Sequence, residues 1–426
     1  MEVRQVNQAT PLHFAAENGH TETLKELISA NADVEAKQEN QATPLHFAAI
    51  SGHKDVLQAL ISANANVEAR QKNQWTPLHF AAISDHKDAL QALINVNADL
   101  EAKEEDQRTP LHIAAFKGHT EALQELISAN ADLEARDQWQ FTPLHLAAIN
   151  GNTDTLQILR SVNADLEAKQ ENQFTPLHIA THNGHTETIK ALISANANVE
   201  AKEKNQRTSL HFAAEAGHIE ALQELINAKA DVEAKDQWEY TPLQLAALNG
   251  HTETIKVLIN AKADVEVKDQ WEYTPLQLAA LNGHTEALQA LISANANVEA
   301  REEDLWTPLH IAAEYGHTDV IKVLINAKSD LEAKAVNEPT PLHLAAQNGH
   351  TEALQALISA NANVEARAED LWTPLHIAAQ NGHKNVIKEL LACGADQQAK
   401  TQAGETPLDL ARSNNHPEVV AVLMEG

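Results

Sequence analysis

The sequence predicts a mainly α-helical solenoid of stacked, near-identical units. A TPLH-type tetrapeptide returns every 33 residues through all 426, with threonines at 10, 43, 76, 109, 142, 175, 208, 241, 274, 307, 340, 373 and 406. No Gly/Ser-rich or low-complexity linker interrupts that spacing, so residues 1–426 read as a single domain of about thirteen repeats. A unit this short cannot bury an apolar face alone, which makes stacking on its neighbours obligatory.

Each element of the unit has a local cause, seen in the second repeat. Thr43 is a good N-cap, and Pro44 at the first helical position gives up an N–H that would lack a partner anyway. Leu45, Ala48 and Ala49 supply the buried side, the alanines allowing close approach of a neighbouring helix, and Gly52 breaks the chain. A second helix follows, with Asp55 at the positive end of its dipole and Leu57, Leu60 and Ile61 as one apolar stripe. Asn64 ends it where a left-handed residue is needed; Lys229, Lys262 and Lys328 hold the same place at some cost, and Gly394 holds it freely. Residues 66–75 are too short and polar for a third helix and read as an extended finger leading to the next threonine.

The TPLHFAA stretch, the Gly52–His53 pair, the LISANANVEA stretch and the 33-residue period together resemble the ankyrin repeat family over essentially the whole chain. The resemblance implies a β-hairpin finger before each antiparallel helix pair and a curved, elongated array. It also implies histidines that tie neighbouring repeats together and a concave face of fingers and first helices that binds other proteins. At ~8 to 10 Å per unit the array would be about 110 to 130 Å long. Residues 401–426, with polar Asp409, Arg412, Ser413 and Asn414, read as a C-terminal capping repeat; no comparable polar cap marks the start, so either the chain is trimmed from something longer or Val3 and Val6 with the first finger cover that end inadequately.

Several positions depart from the family pattern. The fingertip glycine is Gln8, Gln41, Gln74, Gln107, Gln140, Gln173, Gln206, Glu239, Glu272, Leu305, Glu338 or Leu371, with Gly404 alone conforming, so a looser or differently turned tip is expected. Glu35 and its equivalents stand where the family has Asn, which argues against asparagine hydroxylation. Asp85 for the inter-helix Gly, Ser209 for Pro, and Gln244 and Gln277 for His predict local softening in the third and the seventh to ninth repeats.

Composition bounds the function. Sixty acidic residues against 31 basic ones give a formal charge of -29, which repels phosphate backbones and anionic lipid, and no basic patch offsets it. Nucleic acid and membrane are therefore not expected as partners, and no apolar run has the length of a membrane span. The lone Cys393 cannot form an internal disulfide and reads as a small residue at the edge of the core. Cytosol or nucleus is favoured, a monomer is expected, and work inside a host cell as an effector is compatible with every residue.

No residue is a candidate for catalysis. Of 23 histidines, 22 fall at the two repeat positions of His13 and His20, which is a structural signature. His182 alone is off-register, and His178, His182 and His185 form the one ligand-like triad, but two of its members belong to the repeat and no carboxylate is placed as a base. There is no phosphate loop, nucleophile elbow, CxxC pair or calcium loop, so neither cofactor nor metal is expected. Glu35 and its equivalents, each two residues before a Lys or Arg, are expected to form paired columns of opposite charge along the fingers.

The fingertips differ. The five residues before each repeat threonine hold 18 acidic and 4 basic residues in total, and all six tryptophans: Trp75, Trp139, Trp238, Trp271, Trp306 and Trp372. Phe141, Phe174, Tyr240 and Tyr273 join them, with Glu302, Asp304 and Asp370 as neighbouring acids. Beside them, the ends of the first helices carry Phe116, Leu248, Leu281 and Tyr315, extending the tips into a ledge. Such rings either stack on adjacent fingers or face a partner; Ala9 and Ala42 at the same place show that folding does not require them. The reading adopted is a non-catalytic scaffold for a protein or peptide offering Lys or Arg with apolar groups, its main site within residues 236–372. The rival is a mechanical spacer grown by duplication, since residues 236–254 nearly repeat as 269–287.

Overall fold

The computed structural model describes residues 8–425, so Val3 and Val6 lie outside the described residues. Among these residues are 26 α-helices in pairs, one short 3-10 turn at Glu369–Leu371, and no strand. The described residues divide into two compact units, one running up to Ser209 with Asn227–Lys229, the other of Leu210–Ile226 and the residues from Ala230 on. Helix pairs of the same design continue through both.

In the second repeat the first helix is Pro44–Ser51 and the second Lys54–Ser62. Helices of eight or nine residues are too short to persist alone in water, so their stability comes from packing. Leu45, Ala48, Ala49, Leu57 and Leu60 are all fully buried, and the equivalents of Ala48 and Ala49 let successive first helices lie close together within each unit. Burying each leucine is worth ~1.5 to 3 kcal/mol before the cost of ordering the chain.

The first histidine of each repeat is the fold's main polar tie. The Thr43 amide donates to His46 Nδ1 at 3.1 Å. Because that nitrogen must accept, the proton sits on Nε2, which donates to the Trp75 carbonyl 3.1 Å away in the next repeat. A buried imidazole so held is neutral. Gln244 and Gln277 reproduce the arrangement: Gln244 Oε1 accepts from the Thr241 amide at 2.9 Å and Nε2 donates to the Tyr273 carbonyl at 2.9 Å. Asp409 in the last repeat keeps only the accepting half, towards the Thr406 amide, and Asp409, Arg412, Ser413 and Asn414 are exposed. The second histidine reaches back, as when His284 Nε2 bonds the Leu248 carbonyl at 3.0 Å.

The implied hairpin finger appears as a tight turn and not as a strand pair. In the second finger Gln38 N–H donates to the Ala42 carbonyl and Gln41 N–H to the Gln38 carbonyl. A bond such as Lys72 N–H to the Asn40 carbonyl, 2.7 Å, joins this finger to the next, and this spacing does not build a ladder. The tip is not loosened by the loss of glycine: Gln41, Glu239 and Leu305 adopt φ of 67°, 63° and 63°, in the same left-handed region as Gly404 at 84°. Asn64 and Lys262 are left-handed as expected, at 60° and 75°.

The positions expected to soften have substitutes in place. Asp85, itself left-handed, accepts the Ala122 amide at 2.8 Å and faces His119 Nδ1 at 3.9 Å, and a helix still starts at Ser209. The charged columns stitch backbone. Glu35 Oε1 accepts the Asn66 amide at 2.7 Å, and Arg70 donates to the Lys103 carbonyl at 2.7 Å, each reaching the next repeat. Burial, opposed by this amide bond, raises the pKa of Glu101 and Glu134 in the same column. Cys393 is exposed at the end of its helix, not at a core edge.

Candidate functional site

In most of the described fingers the tip is held from within by the side chain five residues before the threonine. Asp137 Oδ1 accepts the amides of Trp139 and Phe141, both at 2.9 Å. Asp236 and Asp269 do the same for Trp238 with Tyr240 and for Trp271 with Tyr273. Glu302 accepts from Asp304 at 3.0 Å and Trp306 at 2.8 Å. A carboxylate here satisfies two turn amides at once, which is why it is buried. Glu302, named from the sequence as a surface contact, is 8% exposed and committed to its own finger. Burial raises the pKa of Asp137 and Asp269 against the lowering by those amides.

The aromatic residues separate into two positions. Trp75, Phe141, Tyr240, Tyr273, Trp306 and Trp372 stand directly before the threonine and are half-buried, and their backbone carbonyls receive the histidine or glutamine tie from the preceding repeat. Their rings lie by the histidine of their own repeat where one is present: Trp75 by His79 at 5.7 Å, Phe141 by His145 at 5.8 Å, Trp306 by His310 at 6.5 Å and Trp372 by His376 at 6.2 Å. These rings take part in stacking.

Trp139, Trp238 and Trp271 stand two residues earlier. Trp139 is 40% exposed and Trp271 47%, while Trp238 is half-buried. Each of the two exposed rings meets the side chain that precedes the threonine in the finger before it. Trp271 packs on Tyr240 with centroids 5.8 Å apart. Trp139 lies under the Arg108 guanidinium, 5.4 Å from its centroid, and Phe116 closes on the same cation at 5.9 Å. Arg108 Nε is also 3.7 Å from Asp137 and Nη1 3.6 Å from Asp106. Burial, then Asp269 and Asp236, push the Tyr240 phenol up to about 12.

The ledge is mixed. Leu248 and Leu281 are half-buried, and their carbonyls accept His284 and His317. Tyr315 is 54% exposed and stacks on His317. Asp304 and Asp370 are exposed, and Asp370 is left-handed. Trp306, Trp372 and Asp304 come together around a cavity of about 410 Å³ that also takes in Pro339, Leu344, Glu369 and Ile377, none of which the sequence reading had singled out. The available signal was Ala335 and Ala368, where the flanking fingers have an accepting side chain at Glu302 and Thr401.

His178, His182 and His185 are not gathered into a site: His178 bonds the Arg207 carbonyl and His185 the Ile149 carbonyl. Among the described residues no group of three His, Cys, Asp or Glu is placed to hold a metal ion, and no helix is long and apolar enough to cross a membrane.

A family model described as Ankyrin repeats (3 copies) matches residues 1–71, 63–137, 87–170, 116–203, 144–236, 210–302, 243–335, 299–370 and 342–426. Among solved structures, the crystal structure of the human ASB11 ankyrin repeat domain is 27% identical, with a TM-score of 0.48, over 52% of this chain and 99% of that one. No curated protein sequence matches this chain.

Proposed function

The chain belongs to the ankyrin repeat family, whose repeats are in general non-catalytic modules for protein–protein interaction, and from that premise we propose that its fingertips and adjoining first-helix ends within residues 236–372 bind a partner segment bearing Lys or Arg with apolar or Pro character. One observation supports this most. Ten large apolar side chains are exposed among the described residues, and five of them, Trp271, Leu305, Tyr315, Val336 and Leu371, fall on these tips and the neighbouring helix end. Exposed Asp304, Glu369 and Asp370 stand among them. Aromatic faces attract cations, and carboxylates around them speed encounter and reject anionic partners. The stacked rings serve both folding and binding, since a ring held on one side by its neighbour is preorganised on the other.

Selection from a random-peptide display library against the full chain tests this reading. Peptides enriched in Arg or Lys beside apolar residues or Pro are expected, and Trp271→Ala with Tyr315→Ala should weaken them about tenfold, ~1.4 kcal/mol. The near-identity of residues 236–254 and 269–287 favours the spacer reading, in which copying spread the rings. A selection that enriches no saturable binder would support that reading instead.

A further inference from the structure

The fingers before Thr340 and Thr373 are built differently from the others. At Ala335 and Ala368 no side chain is available to accept the turn amides, and Asn337 and Asp370 adopt φ of 65° and 56°, so each tip has two left-handed residues in succession. Between flanking Trp306 and Trp372, the residue before the threonine is Pro339. Pro339 and Ala368 line the cavity described above, with Trp306, Trp372 and Leu344 as further apolar wall and the exposed residues Asp304 and Glu369 in its lining. Its lining carries two acids and no cation.

The same chain shows what such a space accepts. Arg108 occupies the repeat position of Pro339, and its guanidinium lies against Trp139 and Phe116 with Asp137 and Asp106 at 3.7 and 3.6 Å. We propose that the cavity between Trp306 and Trp372 receives one arginine side chain of a partner protein, with Asp304 and Glu369 as its counter-charges. The inference rests on the binding-face reading and adds the identity of one contact. Arginine suits the site better than lysine because its planar, weakly hydrated cation stacks on indole and can bond two carboxylates at once.

The full chain labelled with 5-fluorotryptophan gives one fluorine resonance per indole, and Nα-acetylarginine amide is the probe. Saturable shifts are expected at Trp306 and Trp372 but not at Trp139, which Arg108 already covers. Nα-acetyllysine amide should bind several-fold more weakly, and the neutral citrulline analogue should give no shift. Asp304→Asn with Glu369→Gln should abolish the response, as should Pro339→Arg, which supplies an internal guanidinium. No saturable shift at Trp306 and Trp372, equal shifts at all six indoles, or an undiminished response in the charge variant would overturn the proposal. If the probe fails while selected peptides still bind and lose affinity with Trp271→Ala, this cavity is wrong and the face stands; if those peptides fail too, the face itself is wrong.

Discussion

The indole of Trp271 rests on the phenol ring of Tyr240, centroids 5.8 Å apart at 47°, so a ring in one fingertip is supported by the finger before it. Trp271 still exposes 47% of its surface. Trp271→Ala is therefore expected to cost only the ring pair, ~0.5 to 1.5 kcal/mol. Trp75, half-buried against His79 at 5.7 Å and Phe80 at 5.3 Å, should cost about 2 kcal/mol or more on truncation. Urea unfolding followed by circular dichroism separates the two; equal costs would mean that the two ring positions do the same job.

A second prediction concerns acid. Burial chiefly holds His145 down to about 4 from the usual 6.5, and His46, His112 and His343 likewise to about 4. Below 6.5 the unfolded imidazole takes up a proton that the folded one refuses, so the stability from these ties is complete above 6.5 and falls as pH drops towards 4. Gln244 and Gln277 make the same bonds without titrating. His145→Gln should thus melt near the parent at neutral pH and above it near pH 4.5, a value chosen from that window. Parallel melting curves for the two proteins across this range would show that the tie is not proton-sensitive.

Two left-handed glycines, Gly250 between its paired helices and Gly394 just after a second helix, give a third. A Cβ on Gly250 would lie 2.5 Å from His284 Nδ1, whereas one on Gly394 meets nothing within 4 Å; both have positive φ, at 74° and 86°. Gly394→Ala should cost the backbone strain alone, ~1 to 2 kcal/mol. Gly250→Ala must also push aside a ring bonded to the Leu248 carbonyl, so about 2 to 4 kcal/mol is expected. Thermal melts of the two variants should differ accordingly, and the order should not reverse.

Lys262 has a φ of 75° at the end of its second helix, where Gly394 sits in the twelfth repeat. Lys262→Gly should therefore stabilise the protein, by up to ~1 kcal/mol, because relief of left-handed strain exceeds the added freedom of the unfolded chain. A lower melting temperature in the variant would contradict this.

Thr43, Pro44, Gly52 and Asn64 each announce a cap, a start, a break or a stop, so the helix pairs and their register were legible in the residues. The roles of the acids were not. Glu302 and Asp304 are two residues apart in one acidic tip, yet one is buried and the other exposed, because turn amides needing an acceptor draw in only the carboxylate five places before the threonine. A count of charge per window cannot see that. Nor did pooling the tryptophans separate Trp271, whose ring lies on the finger before it, from Trp306, whose ring lies by the histidine of its own repeat; their offsets from the threonine carry the distinction. The cavity at Pro339 has Ala368 in its lining, and small residues draw attention only once the side chains they replace have a known task.

The most direct test of the binding face is calorimetric titration of an arginine-containing peptide, recovered by display, into the parent chain and into the chain carrying Trp271→Ala and Tyr315→Ala. Saturable binding to the parent, weakening with added salt, and a loss of about tenfold in the variant at nearly unchanged melting temperature are predicted. An isotherm for the variant that overlays the parent's would contradict the account.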